Sequence, residues 1–185
     1  MKLVRSWKAV LVASAILALA GSLAHADTVA KGPYYALPSW DQKLRCDAPS
    51  TCPRFQILED WNSEAVLDRE TGLVWEKVPS SAGVAWIGAS SHCVGLSKGG
   101  RKGWRLPTVQ DLATLIDPTQ SNPSLPSGHP FTVLSSFYWS DTTNASDATN
   151  AWVVYFSSGY VGGAGKSTPI AHVWCVRGGP GIDRQ

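Results

Sequence analysis

The chain has little surplus of positive charge and no paired C-x-x-C motif. Its formal net charge is +2, but three of the 16 Lys and Arg residues lie in the first 26 residues. Without that segment, 13 basic residues face 14 acidic ones. So little positive charge argues against binding to phosphate backbones, and we therefore expect no nucleic acid partner. The cysteine spacing likewise disfavours the alternative of a four-cysteine zinc site.

Residues 1–26 have the pattern of a secretory signal peptide. Three basic residues precede the apolar run Ala9–Ala20, and Ala24-His25-Ala26 gives a small-x-small cleavage site. The apolar run is too short to span a bilayer comfortably, so we expect no stable membrane insertion, with an uncleaved anchor as the alternative. No cysteine directly follows the cleavage site, which argues against a lipoprotein. We predict a periplasmic or secreted protein cleaved near Ala26.

The remaining 159 residues have the length of one domain. We predict four parts: the signal peptide (1–26), an extended N-terminal arm (27–53), a folded domain (54–178) and a C-terminal tail (179–185). Eight tryptophans follow the signal peptide. We expect most of them in the core or at its rim, and one or two to line a sugar-binding site.

Four cysteines lie in the exported part, where two disulfide bonds are the default. Of the three possible pairings we choose Cys46–Cys52 and Cys93–Cys175. The first would staple a local loop flanked by prolines. The second would tie the first predicted helix to the last predicted strand and close a long loop, which constrains the unfolded chain more strongly.

The motif GWRLPT at 103–108 is the most informative short segment. On an extended backbone Trp104 and Leu106 lie on one side and Arg105 on the other. Pro107 then ends the strand. We assign structural roles to Trp104, Arg105 and Pro107, and also to Arg177 near the end of the chain.

A helix is predicted directly after this motif. Thr108 is its expected N-cap, and Asp111 can complete a capping box. The helix has one apolar face, formed by Val109, Leu112, Ala113 and Ile116. A second helix is predicted over 84–96, with Ser80 and Ser81 as possible caps and a buried side formed by Trp86, Ala89, Cys93 and Leu96.

Short strands and long connections make up the rest of the pattern. Strands are predicted at 55–58, 66–68, 73–76, 137–140, 151–156 and 172–177, and the second and third form a hairpin with Gly72 in the turn. The long connections between late elements are predicted at about 117–136, 141–150 and 157–168. Connections of such length in a small domain are usually functional or disordered.

Five motifs in this order resemble one bacterial family. They are AVLDRETGLVWE at 65–76, the helix with Cys93, GWRLPT at 103–108, YWS at 138–140 and CVR at 175–177. Together they resemble the C-terminal domain family of the Legionella collagen-like adhesin. The resemblance covers roughly residues 54–178.

The segment RLPT opening a helix also resembles the formylglycine-generating, sulfatase-modifying enzymes. Both resemblances imply an α+β domain with a C-type-lectin-like fold: two helices, twisted antiparallel sheets and long loops. They also imply a disulfide between the first helix and the last strand, which is the Cys93–Cys175 pair chosen above for an exported chain. With both predicted pairs the fold would hold two disulfides.

The resemblance implies an adhesin-like binding module that recognises a glycan or a cell-surface protein through the long late loops. The adhesin binds sulfated polysaccharides, which suggests the ligand class. Tyr160, Lys166 and Trp152 form the candidate sugar platform of two aromatic rings and a cation, and Asp141 and Asn144 are further candidate ligand-binding residues. The alternative for Trp152 is a core position. The alternative functions are an enzyme on the related scaffold and a structural envelope protein.

No cofactor is expected, apart from a candidate calcium site. Asp141, Asn144, Asp147 and Asn150 recur every three residues, and hard oxygen ligands suit Ca²⁺. However, the EF-hand pattern and the Glu-Pro-Asn and Trp-Asn-Asp signatures of calcium-dependent lectins are absent. The alternative is a solvated polar loop.

We predict no catalytic residues. His92, His129 and His172 are scattered along the sequence, and no serine lies in a nucleophile-elbow context. Formylglycine generation needs reactive cysteines late in the fold, where only Cys175 is available. Arg105 and Arg177 are expected to pair with a carboxylate such as Asp68 or Asp111.

Overall fold

The computed structural model describes residues 53–179. The predicted signal peptide, the Cys46–Cys52 pair and most of the arm and tail lie outside the described residues. The described part contains two helices, α1 (Trp86–Gly95) and α2 (Val109–Ala113), and one 3₁₀ turn (Glu59–Trp61). Its strands are β1 (Phe55–Ile57), β2 (Ala65–Asp68), β3 (Val74–Glu76), β4 (Phe137–Thr143), β5 (Asn150–Tyr155), β6 (Tyr160–Gly165) and β7 (Val176–Arg177). Neither helix in this part is long and apolar enough to cross a membrane.

The first sheet has the strand order β1-β2-β3-β7 and is antiparallel throughout. Its central hairpin confirms the prediction for 66–76. Asp68 holds the turn, because its carboxylate accepts hydrogen bonds from the backbone N–H of Glu70 and the hydroxyl of Thr71. Gly72 follows with φ +73°, a conformation that favours glycine.

The second sheet has the order β4-β5-β6 and is also antiparallel. It corrects two loop predictions. Strand β4 continues to Thr143, so the predicted loop over 141–150 is shorter, and the Gly-rich segment over 157–168 contains β6. Glycine has a low strand propensity, but all six residues of β6 pair with β5, and this long-range pairing overrides the local preference.

Two hydrophobic clusters pack on opposite faces of this second sheet. We call the first the disulfide core, because it joins α1 and the two described cysteines to β4 and β5 through Trp139, Ala151 and Val153. We call the second the aromatic core, which contains Trp75, Tyr138, Phe156 and Trp174 together with Leu112 of α2. The expectation that most tryptophans are core or rim residues holds for Trp61, Trp75, Trp104, Trp139 and Trp174, all of which are buried.

The Cys93–Cys175 disulfide is present, with a Cα–Cα distance of 5.5 Å, which confirms this predicted pair. It is the one disulfide within residues 53–179. The last strand is shorter than predicted, because only Val176–Arg177 pair in the first sheet. Before them, Ala171 and His172 form single bridges to Val84 and Tyr138.

Helix α2 confirms the predicted cap. Thr108 Oγ1 accepts a hydrogen bond from Asp111 N at 3.1 Å, and Asp111 Oδ2 accepts one from Thr108 N at 2.9 Å. The predicted apolar face is wrong at Ala113, which is exposed. The helix ends at Ala113, so the helical spacing no longer applies beyond it, and Leu115 is the next residue buried in the core.

Helix α1 confirms the predicted buried side, with Ala89 and Cys93 fully buried. The predicted serine caps are wrong. The N-cap is Ala85, which has no side-chain cap. The first helical N–H, that of Trp86, instead donates to the carbonyl of Lys166 at 2.9 Å. A distant backbone segment therefore satisfies a donor that sequence reasoning assigned to a local hydroxyl.

The two helices and antiparallel sheets match the predicted α+β class. The finer assignment to the C-type-lectin-like fold stays a prediction.

Candidate functional site

Tyr160 is the most exposed aromatic residue of the second sheet, at 62% of its surface. It is the first residue of β6 and pairs with Tyr155 of β5, which in turn pairs with Phe137 of β4. Directly opposed residues of antiparallel strands point to the same face, so the three rings form a line across the sheet. The Phe137 and Tyr155 rings are stacked, with centroids 4.2 Å apart and planes at 16°. We call these three residues the aromatic row.

Glycines shape the outer end of the aromatic row. A Cβ at Gly162 would lie 2.5 Å from Cε1 and 2.7 Å from Oη of Tyr160, so the tyrosine ring lies directly over the backbone of Gly162. Gly159, in the preceding turn, has φ +73°, and a Cβ there would lie 2.9 Å from Cγ2 of Ile116. The ring therefore rests on the sheet, and a large part of its surface faces solvent.

The predicted platform of Tyr160, Lys166 and Trp152 is not assembled. Trp152 pairs with Gly163. Because side chains alternate along a strand, Trp152 lies on the face of the aromatic core, whereas Tyr160 lies on the face of the disulfide core. Trp152 is only partly buried, so the alternative of a full core position does not hold either.

Lys166 is held at the opposite end of β6 from Tyr160, about 20 Å away along the strand. Its Nζ lies 4.3 Å from the centroid of the Trp86 ring and 2.8 Å from Thr143 Oγ1. This is a cation–π contact with α1. Sequence reasoning placed Trp86 on the buried side of the helix and had no signal that linked it to a lysine 80 residues later.

Asn144 lies close to Gly163, the strand partner of Trp152. A Cβ at Gly163, the partner of Trp152, would lie 3.2 Å from Asn144 Nδ2. Asn144 also pairs with Asn150 through its backbone N–H, which donates to the Asn150 carbonyl. Asp141 lies on β4, is exposed, and donates its backbone N–H to the Pro107 carbonyl at 2.7 Å.

Three of the four candidate calcium ligands, Asn144, Asp147 and Asn150, belong to one hydrogen-bonded turn, whereas Asp141 lies apart from them on β4. Asp147 accepts from the hydroxyl and backbone N–H of Thr149 through Oδ1, and from Asn150 Nδ2 through Oδ2. The hydroxyl bond of Thr149 is the larger cause of a lowered pKa for Asp147, and its backbone bond is the second. Asn144 Oδ1 accepts from Ser146 N. Hydrogen bonds between neighbouring polar side chains and the backbone account for the regular spacing of these residues.

The structural arginines have different partners. Arg105 donates to Asp111 Oδ2 at 2.8 Å, which confirms the predicted pairing of an arginine with Asp111. Arg105 also donates to the Gly178 carbonyl. Asp68 is instead paired with Arg54 at 2.9 Å. Arg177 donates to the Lys102 carbonyl and lies over the ring of Trp61. These contacts tie the GWRLPT segment to the end of the first sheet.

The three histidines have separate surroundings. His129 stacks on Phe131, and burial lowers the pKa of its ring. His172 lies beside Tyr138, while His92 is exposed on α1. No described contact joins one histidine to another, or to a serine that could act as its nucleophile.

The comparison with protein families gives a match over most of the described residues. The model of the family described as the Lcl C-terminal domain matches residues 64–177, more than half of the chain. No curated protein matches this chain. The matched range holds both described sheets except β1, both helices, the disulfide and the aromatic row. The chain therefore belongs to the Lcl C-terminal domain family, that of the Legionella collagen-like adhesin.

Proposed function

We propose that this domain is an exported binding module that recognises a glycan through the aromatic row. Family membership is consistent with a binding module of a collagen-like adhesin. The single observation that carries the proposal is the exposed ring of Tyr160, resting on Gly162 at the end of a line of three rings. Such a ring offers a flat apolar surface at a small cost in side-chain entropy, and a pyranose face can stack on it.

The experiment is a glycan array, carrying neutral, acidic and sulfated glycans, probed with the protein after removal of residues 1–26. Binding with and without EDTA tests the calcium hypothesis at the same time. We expect binding to at least one glycan class. Binding to none of them would overturn the proposal and favour a structural envelope role.

The substitution Tyr160→Ala tests whether the binding site lies at the aromatic row. Removing a central aromatic contact should weaken binding by about tenfold or more. The free energy of unfolding should change by less than about 0.5 kcal/mol, because the side chain is mostly exposed. Tyr160→Phe keeps the ring and should retain most of the affinity. Trp152→Phe, on the opposite face, is the matched control and should bind as the wild type does. Unchanged binding by Tyr160→Ala would contradict the placement.

Export is part of the proposal. The pattern of residues 1–26 and the Cys93–Cys175 disulfide both support an oxidising compartment outside the cytoplasm. Mass spectrometry of protein recovered from the periplasm and the medium should find chains that begin at Asp27. Finding only the full-length chain would contradict cleavage.

The alternative of an enzyme related to the formylglycine-generating scaffold has less support. Its reaction would need a free late cysteine, and Cys175 is joined to Cys93.

A further inference from the structure

The two edges of the second sheet differ. Along β4, His172 donates its backbone N–H to the Phe137 carbonyl and accepts a hydrogen bond from the N–H of Trp139, so a late segment of the chain covers this edge. Strand β6 forms the opposite edge, because it comes last in the order β4-β5-β6. No other described segment pairs with β6 on its outer side. The β6 edge is therefore open among residues 53–179.

Two residues of β6 direct their backbone groups away from the sheet. Lys166, the residue after the strand, donates its N–H to the Thr149 carbonyl across the ladder with β5. Residues that bond to a given neighbour alternate along an antiparallel strand, so Val161 and Gly163 direct their N–H and C=O groups to the outer edge. Within the described part of the chain, these outward groups have no backbone partner. Such an unpaired row is a template for another strand.

This edge lacks the features with which natural sheets block pairing. Protected edge strands are short, charged, interrupted by proline or bent by a bulge. Strand β6 has the sequence YVGGAG, with no charge and no proline, and all six residues stay in register with β5. By contrast, the edge strand β1 has only three residues, and β4 has a register shift between Trp139 and Thr143. A long, neutral and regular edge favours a strand as its partner.

We propose that the open edge of β6 pairs with β6 of a second copy of this chain, antiparallel about a two-fold axis, and so joins two three-stranded sheets into one. The axis passes beside Gly162, which lies midway between the two residues with outward groups. Val161 of one copy then lies opposite Gly163 of the other, and each such pair exchanges N–H···O=C bonds in both directions. This pairing does not depend on the proposed glycan ligand.

The chemistry of the strand favours its own copy as the partner. Because β6 carries no charge, two copies meet without like-charge repulsion. The residues near the axis, Gly162, Gly163 and Ala164, are small and leave room for a second backbone, while Tyr160 lies opposite Ala164 of the second copy. A two-fold contact uses the same edge on both copies, so the assembly closes as a dimer and does not grow into a fibre.

The test begins with the oligomeric state of the chain without residues 1–26. Sedimentation velocity over roughly 1 μM to 1 mM, the range of weak to moderate association, should show a monomer–dimer equilibrium. Amide hydrogen exchange, followed by NMR, should slow at Val161 and Gly163 as the dimer forms, because their N–H groups become hydrogen-bonded. A monomer over the whole range, or a dimer in which these two amides gain no protection, would overturn the proposal.

Charge at Gly163 tests the pairing directly. Gly163 is exposed and has no positive φ, and an added Cβ would meet only the end of the Asn144 side chain, so a longer side chain fits the monomer. In the dimer the two Gly163 residues are diagonal neighbours on one face, about 7–8 Å apart. Gly163→Lys and Gly163→Asp should therefore each raise the dimer Kd roughly tenfold or more. Mixing the two variants should restore the dimer, because opposite charges then meet.

Gly95→Lys is the matched control. Gly95 is exposed at the end of α1, outside the second sheet, and a Cβ there would meet no atom within 4 Å. This variant adds the same charge and should dimerise as the wild type does. Circular dichroism checks that each variant is folded, and if a Gly163 variant is not, the exchange of Val161 and Gly163 in the wild type decides. Equal weakening by Gly95→Lys, or a mixture of folded Lys and Asp variants that stays monomeric, would contradict pairing through β6.

Discussion

The two cores of this domain are held together by different means. The aromatic core is filled by interlocking rings: Trp174 contacts Trp75, Phe131, Tyr138 and Phe156, with centroid distances of 4.9–5.6 Å. The disulfide core also contains tryptophans, but it has in addition a covalent bond between α1 and the end of the chain, and an ionisable group, Glu76, at its border. The comparison indicates that one core depends on packing alone, whereas the other adds a cross-link and a group whose protonation depends on pH.

The largest effect is expected from Trp174→Ala. Trp174 is fully buried, and its Nε1 donates to the Glu76 carbonyl at 2.8 Å. Truncation should lower the free energy of unfolding by about 3–5 kcal/mol, because it leaves a large cavity and an unpaired carbonyl. Urea denaturation measures this loss. Trp174→Phe should recover part of it. A loss under about 1 kcal/mol would show that this core does not depend on ring packing.

Removing the cross-link tests the other core. The double substitution Cys93→Ala and Cys175→Ala should cost about 2–5 kcal/mol, because it releases a long closed loop in the unfolded chain. Urea denaturation again provides the measurement, with Glu64→Gln as a neighbouring control. An undiminished unfolding midpoint would mean that packing alone holds the disulfide core.

The pH dependence of stability should also come from the disulfide core. Burial raises the pKa of Glu76 to about 7, against the opposing effect of Lys98. Between its unfolded value of 4.5 and about pH 7 the folded chain retains a proton that the unfolded chain releases, so stability should fall as the pH rises through this window. The fall attributable to this group is about 3 kcal/mol.

Glu76→Gln isolates this contribution. Unfolding free energies of the wild type and the variant, measured from pH 4 to pH 8, should diverge as the pH rises, with the variant losing less. Parallel curves would show that Glu76 does not titrate as its burial predicts.

The smallest of these effects is expected at the helix cap, which lies outside the contrast between the two cores. Thr108→Ala removes the acceptor for Asp111 N and should cost about 0.5–2 kcal/mol. Thr108→Ser keeps the hydroxyl and should be close to the wild type. Thermal unfolding compares the stability of the two variants. Equal losses for both would indicate that the methyl group of Thr108, and not the capping hydrogen bond, stabilises the helix.

Local features were predictable from the sequence. The capping box joins Thr108 to a residue three positions later, and the hairpin turn is held by Asp68 with its next neighbours. The spacing of Ala89 and Cys93 was sufficient to predict the buried side of α1. Interactions of this kind need only a few consecutive residues and the ordinary geometry of a helix or turn.

The candidate site was predictable only in part. Tyr160 was named from the sequence as a candidate ligand-binding residue, but its place in a line with Tyr155 and Phe137 was not predicted. Their alignment depends on the register of three strands, and a shift of one residue would move a side chain to the other face. The strand register also decides that Tyr160 and Trp152 lie on opposite faces of the second sheet.

The sequence alone was therefore sufficient for the hairpin and the capped helix, which depend on short spacings. It was also sufficient for the family, which five ordered motifs indicated, and for the Cys93–Cys175 pair, which the redox compartment and the family resemblance favoured. Strand β6, the contact between Lys166 and Trp86, and the burial of Glu76 beside Cys175 arise only when distant segments pair. Strand pairing and packing bring together residues up to about 100 positions apart, and no local pattern records which residues will meet.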